Sequence, residues 1–236
     1  MNQTISIKIW SDIACPFCYI GKKHLDSAIS QLSEEQKNEI LIEWKSFQLD
    51  PTLPESSDLS ITEYLSQRKG IPLHQLKILN QRVAEMGENA GIHFDFDSIK
   101  LGNTFNAHKL LQVSKQLGKG QQAKERLLKA YFEDGNAISS IENLSSLAEE
   151  IGLSDEETKN AFSNSTFEEK VHADIKEAQT LGISGVPFFV FNNKYAVSGA
   201  QPIAVFEEVL GTIFKKQNDL TEQTIQGEVC NPGENC

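Results

Sequence analysis

The stretch Thr4-Ile5-Ser6-Ile7-Lys8-Ile9-Trp10-Ser11-Asp12-Ile13-Ala14-Cys15-Pro16-Phe17-Cys18 changes its periodicity part-way along, and that change decides the fold. Ile5, Ile7 and Ile9 alternate with polar residues, the pattern of a strand with one buried face. From Pro16 onward, Phe17, Ile20, His24, Leu25, Ala28 and Leu32 recur at three and four, which is helical. The two cysteines therefore fall where a strand gives way to a helix. Pro16 suits an early helical position, because no amide donor is needed there.

That location suggests a chemistry. A sulfur at a helix start lies beside unpaired backbone N–H groups and the positive end of the helix dipole, and both favour thiolate over thiol. Cys15 is thus expected to have a lowered pKa and to attack, while Cys18, one turn further in, resolves a mixed disulfide. The same spacing also fits half of a zinc site, or two small buried hydrophobes. The strand before and the helix after favour redox chemistry. Phe17, between the cysteines, is expected to be exposed and to contact substrate.

Further along, Glu39 to Gln48 alternates as a second strand, ended by Asp50-Pro51 and Pro54. From about Ser60 to Gly182 the pattern is almost wholly helical, broken at Gly70-Ile71-Pro72, Gly102, Gly118, Asp134-Gly135 and Gly152. Ser60 leading to Glu63, and Ser154 before an acidic first turn, read as helix N-caps. The β pattern returns at Val186 to Phe191 and Lys194 to Ser198, joined by Asn192-Asn193, a pair suited to positive φ in a hairpin turn. An amphipathic helix follows from Pro202 to about Phe214.

This order predicts an α/β fold, thioredoxin-like, with an inserted α-helical domain. Residues 1–57 and 167–215 would form the discontinuous thioredoxin-like part, 58–166 the insertion, and 216–236 a C-terminal tail. Pro187 stands at the entrance to a strand, where a central ladder would reject it; a cis Val186–Pro187 bond would explain it. In a thioredoxin fold that loop faces the cysteines, and the backbone of Val186 could pair with an extended substrate.

The whole chain sets limits on partners. With 236 residues, 39% apolar and 23% charged, the composition is that of an ordinary globular protein. A formal net charge of −11 disfavours nucleic acid, whose binding depends on Lys and Arg displacing counterions. No apolar run is long enough to cross a bilayer, and the N-terminus lacks the basic and apolar regions of a signal peptide, so a cytoplasmic location is expected. Four cysteines are too few for a disulfide scaffold.

The segments Trp10 to Lys22, Phe47 to Pro51, Asn103 to Leu110 and Gly182 to Phe189 together resemble the FrnE-like branch of the DsbA family over nearly the whole chain. The resemblance implies a thioredoxin fold with a helical insertion, Cys15 as nucleophile, Cys18 as resolving thiol and Pro187 as the cis proline. Some members of this branch carry a C-terminal cysteine pair, which Cys230 and Cys236 resemble; redox exchange with Cys15, zinc binding or simple exposure are all open to it. One feature departs from expectation. The acid that many thioredoxins bury six residues before the first cysteine is Ile9 here, so proton transfer to and from Cys18 must use water or another group, for which Asp12 and Glu43 are candidates.

His108, within the Asn103 to Leu110 motif, is a candidate to line the site; the remaining histidines have no metal-like spacing. The expected activity is disulfide oxidoreduction or isomerisation on protein or peptide disulfides. No cofactor is required by that chemistry, though glutathione could be a co-substrate, and glutathione or a reductase must complete the cycle. Two rivals stand beside it. One is a glutathione-dependent transferase or isomerase of a small molecule, like the hydroxychromene-carboxylate isomerases, which typically have serine at the reactive position. The other is a zinc-binding module or chaperone.

Overall fold

A computed structural model describes residues 4–225. Strand β1 (Ile5–Ser11) runs into helix α1 (Pro16–Ser30), followed by a short helix α2 (Glu34–Asn38) and strand β2 (Ile40–Ser46). Six helices come next: α3 (Ile61–Lys69), α4 (Leu73–Asn89), α5 (Phe105–Gln116), α6 (Gly120–Phe132), α7 (Ile141–Glu150) and α8 (Asp155–Ser163). Helix α9 (Ser165–Thr180) leads to strands β3 (Phe188–Phe191) and β4 (Tyr195–Ser198), and α10 (Ile203–Ile225) ends the described chain.

The sheet order is β2-β1-β3-β4. β1 pairs parallel with β2 and antiparallel with β3, which pairs antiparallel with β4. The alternation in β1 does what its period requires. Ile5, Ile7 and Ile9 are buried on one face, in a core shared with Tyr19, Leu25, Phe206 and Leu210 of α1 and α10. Full burial of each such side chain stabilises by about 1.5–3 kcal/mol. On the other face Trp10 packs with Ala178 and Ile183. Its indole donates to the Asp174 carbonyl of α9 at 3.1 Å.

The Asp174 carboxylate anchors α9 to the sheet. It accepts from the Ser46 backbone N–H at 3.0 Å and from Gln112 Nε2 at 2.6 Å, and pairs with Lys45 at 3.0 Å. The main core runs without a break from the sheet into α5, α6 and α7, through Leu111, Leu127, Leu128 and Leu144. Helices α3 and α8 start at full capping boxes on Ser60 and Ser154, as the sequence predicts. The β3–β4 turn has φ of 49° at Asn192 and 52° at Asn193, which asparagine tolerates.

Two elements depart from expectation. Helix α10 continues past Phe214 to Ile225. Its later residues, such as Gln217, Asn218 and Asp219, are polar, so apolar periodicity stops there although the backbone does not. Helix α2 is held by a capping box between Ser33 and Gln36 and has no buried residue, hence no apolar stripe to reveal it.

One glycine sets how closely α1 approaches β3. A Cβ on Gly21 would stand 3.0 Å from Pro187 Cγ and 3.1 Å from Phe189 Cζ. Both neighbours are fixed in the core, so added bulk must move the Pro187 turn or strain α1. Gly21→Val is expected to lower unfolding free energy by about 1–3 kcal/mol, measured by chemical denaturation.

Candidate functional site

Strand β1 ends at Ser11, and Asp12 to Ala14 turn the chain so that Cys15 becomes the N-cap of α1, with Pro16 in the first helical turn. The Cys15 carbonyl accepts from the Cys18 N–H at 3.0 Å, closing that turn. Cys15 is 4% exposed and Cys18 1%. Both are free thiols. Opposite them lies the Val186–Pro187 turn, and its peptide bond is cis. The Cys15 thiol donates to the Val186 carbonyl, with Sγ and O 3.5 Å apart. Phe17 projects outward and is 41% exposed.

The structure therefore gathers Cys15, Cys18, Phe17, Val186, Pro187, Asp12 and His108 at one place. Asp12 is fully buried. Its carboxylate accepts from the Leu49 backbone N–H at 2.8 Å, with Oδ1 3.3 Å from His108 Nε2. Glu43 is not brought there. Strand alternation turns it away from the face of Trp44; it pairs with Lys45 at 2.9 Å and its side chain is 38% exposed. Cys230 and Cys236 lie outside the described residues. Among the described residues no group of three or more His, Cys, Asp or Glu side chains is placed to hold a metal ion.

The two buried sulfurs share one charge between them. The side-chain hydrogen bond between the cysteines pushes the Cys15 thiol well above its ordinary value, with burial and the Cys18 charge adding to this and the Cys18 backbone N–H opposing it. Cys18 is the lowered partner. Burial alone would raise it, but the Cys15 hydrogen bond, the Lys124 charge and the Ser11 hydroxyl outweigh burial. The dithiol thus holds one negative charge readily and resists a second.

Lys124 is the group that the sequence reading missed. It lies on α6, fully buried, with its Nζ 5.3 Å from the Trp44 ring centroid and without a hydrogen-bond partner among the described residues. A signal existed, since Lys124 shares the helical stripe of Leu127, Leu128 and Tyr131, all buried. Burial pushes its ammonium down to about 8, against the charges of Cys18, Asp12 and Cys15, which hold it up.

A cavity of about 460 Å³ opens beside Cys15. Phe17 and Val186 form part of its wall near the cysteine, and Leu65 of α3, Leu76 of α4 and Phe132 of α6 line it further in. On the same lining, Tyr64 donates to Asp50, which also pairs with Arg68 at 2.6 Å.

Burial raises the Asp12 pKa, but His108, the Leu49 N–H and the Lys124 charge together bring it below its ordinary value. A depressed native pKa contributes stability that is present above the unfolded value, about 3.9, and is lost as pH falls through the native value. Asp12→Ala also removes the hydrogen bond that the carboxylate accepts from the Leu49 N–H, at about 1.5–3 kcal/mol for a bond to a charged group. The stability gap between wild type and Asp12→Ala is therefore expected to be constant near neutrality and to shrink below about pH 4, measured by denaturation across pH.

Comparison with known proteins agrees with this architecture. The model of the DSBA-like thioredoxin domain matches residues 6–211. A probable DsbA oxidoreductase from Streptomyces coelicolor is 30% identical, with a TM-score of 0.83 over 89% of this chain and 90% of that one. YwbO, an uncharacterized protein of Bacillus subtilis, is 27% identical over 221 residues, 91% of this chain and all of the relative. The cytosolic disulfide reductase DsbM from Pseudomonas aeruginosa shares the fold, with a TM-score of 0.62 at 16% identity over 89% of this chain and 98% of that one. That reductase has also been solved with GSH. The thioredoxin-like sheet, the cis Val186–Pro187 turn facing Cys15 and the family match over most of the chain together make this protein a member of the DSBA-like thioredoxin domain family of oxidoreductases.

Proposed function

We propose that the protein is a thiol–disulfide oxidoreductase or isomerase that acts on protein or peptide disulfides through Cys15 and Cys18. The observation that carries this is the 3.5 Å contact of Cys15 Sγ with the Val186 carbonyl on the cis turn. An extended peptide that donates an N–H to that carbonyl pairs with the turn ahead of β3 and brings its own sulfur over Cys15. In doing so it displaces the Cys15 S–H from Val186. Phe17, exposed between the cysteines, gives such a peptide an apolar contact.

The shared charge of the dithiol supports the chemistry. As the substrate takes over the Val186 carbonyl, the Cys15 proton passes to the Cys18 thiolate; the Cys15 thiolate attacks one sulfur of the substrate disulfide, a mixed disulfide forms, and the other substrate sulfur leaves as a thiolate that takes a proton from solvent. The remaining dithiol proton then sits on Cys18. Once Cys18 loses it, Cys18 attacks Cys15 Sγ, and the second substrate thiolate leaves. Two electrons pass from the dithiol to the substrate; run backwards, the same steps oxidise a substrate dithiol, and partial passage isomerises. A thiol reductant, with glutathione the first to test, returns the dithiol in a reducing compartment such as the cytoplasm.

The cavity beside Cys15 favours a second reading, in which a small apolar molecule is processed with glutathione under the cover of α3 and α4. Insulin reduction separates the two. The first reading expects wild type to reduce insulin with a thiol reductant, Cys15→Ser to lose at least about 99% of the rate, and Cys18→Ser to accumulate a mixed disulfide through Cys15, seen by mass spectrometry. Tight glutathione binding without insulin reduction would favour the second. Full insulin reduction by Cys15→Ser would refute the first.

A further inference from the structure

Helices α3 and α4 carry an apolar stripe with no packed core behind it. Ile61 and Leu65 on α3, and Leu76, Leu79 and Val83 on α4, recur at the three- and four-residue spacing of a buried helix face. Yet no residue of α3 is buried, and α4 buries only Leu76 and Gly87. The five side chains instead line the cavity of about 460 Å³ beside Cys15, across from Ile99 and Phe132. Its mouth adjoins the reacting sulfur, where Phe17 and Leu49, both exposed, form part of the lining. We propose that this cavity is a specificity pocket for the polypeptide substrate, taking a large apolar side chain from one or two residues beyond the substrate cysteine. This inference rests on the thiol–disulfide reading of the same site and adds to it the kind of sequence that the protein selects.

Three features favour that occupant. The first is continuity. Val186, whose carbonyl the peptide would pair with, and Phe17 belong to the cavity wall, so a chain docked on that turn has its neighbouring side chains at the opening. An extended chain rises about 3.3 Å per residue, which keeps a side chain two residues away within about 7 Å of the cysteine along the chain. The second is charge. On the wall, Tyr64 donates to Asp50 and Arg68 pairs with the same carboxylate, so these polar groups satisfy one another. What they leave is apolar surface, suited to an uncharged side chain. The third is Tyr131 of α6, on the same lining, which is fully buried and whose Oη has no hydrogen-bond partner among the described residues. A buried hydroxyl without a partner is costly. A polypeptide brings carbonyls together with apolar bulk, and one of them gives Tyr131 the acceptor that a bare hydrocarbon lacks.

Filling the cavity also gives α3 and α4 the apolar contacts that their stripes lack. The side chain leaves water as it enters, and that transfer favours a large apolar residue over alanine by about tenfold to a hundredfold in kcat/KM.

The test uses the full chain in its reduced form and synthetic peptides of one length, each with a single cysteine held as a disulfide to 2-mercaptoethanol. Phe, Leu or Ala occupies the positions around the cysteine, and reduction is followed by chromatography. Wild type is expected to reduce the Phe and Leu peptides with kcat/KM at least about tenfold above the Ala peptide. Leu65→Trp fills the cavity from α3, and the ratio of Phe to Ala is expected to fall to within about threefold of unity. Val83→Phe fills it from α4 and gives the same outcome should Leu65→Trp not fold. Each variant is judged by the ratio of two substrates, so a general loss of activity does not imitate the result. Tyr131→Phe is expected to lower kcat/KM for every peptide about threefold to tenfold and to keep the ratio. Equal wild-type rates on the Phe and Ala peptides overturn the proposal. A preference that persists in both filled variants also overturns it and assigns selection to exposed Phe17. Wild-type rates in Tyr131→Phe overturn the hydroxyl contact. Dibenzyl disulfide reduced faster than the Phe peptide, with that advantage lost in Leu65→Trp, gives the cavity to a small molecule and overturns the proposal. Wild type that reduces none of these disulfides instead refutes the thiol–disulfide reading.

Discussion

The approach of Cys15 Sγ to the Val186 carbonyl is the constraint on which the rest of the molecule depends. The two groups come from ends of the chain far apart in sequence, and the sheet brings them together. β1 leads to Cys15, β3 begins just after Pro187, and the pairing of Ile9 with Phe189 and Trp10 with Phe188 fixes where the two ends meet. A slip of one residue would turn every side chain of one strand to the wrong face, placing isoleucines against α9 and Trp10 in the main core. The register is therefore held by the same burial that builds the core. Gly21 completes the constraint by letting α1 lie close against Pro187 and Phe189.

Around that contact the protein tolerates polar groups that a stability argument alone would remove. Asp12, His108 and Lys124 are all buried, and His108 Nδ1, Lys124 Nζ and Tyr131 Oη have no hydrogen-bond partner among the described residues. Each unpaired buried group costs on the order of 1–3 kcal/mol. The groups come from the β1–α1 turn and from α5 and α6, so the helices between β2 and α9 do more than cover the sheet. They supply charge to a dithiol whose own strand supplies none. Function is the consistent reason for a cluster that opposes folding.

Much of this was legible in the sequence because it is encoded at short range. The change from period two to period three and four placed Cys15 at the strand–helix junction, Asn192-Asn193 marked the hairpin, and Ser60 and Ser154 marked helix starts. Pro187 at a strand entrance pointed to the cis bond. What the sequence hid depends on tertiary contact. Glu43 and Lys124 look alike as charged residues on amphipathic elements, yet one pairs with Lys45 near solvent and the other is sealed over Trp44. The charge on the dithiol likewise depends on partners across the fold: the Lys124 charge reaches Cys18 from α6, far along the chain. The tail cysteines Cys230 and Cys236 fall outside the described residues.

Redox exchange between Cys15 and Cys18 underlies every step above, and it can be measured at equilibrium without choosing a substrate. Wild-type protein is brought to equilibrium in a series of glutathione redox buffers, quenched by alkylation and mapped by mass spectrometry. The account expects a single reversible two-electron transition in which the Cys15 and Cys18 peptides lose alkylation together and become joined by a disulfide. Cysteines 15 and 18 that remain separately alkylated at every poise, or that pair only with glutathione or with other cysteines, would contradict it.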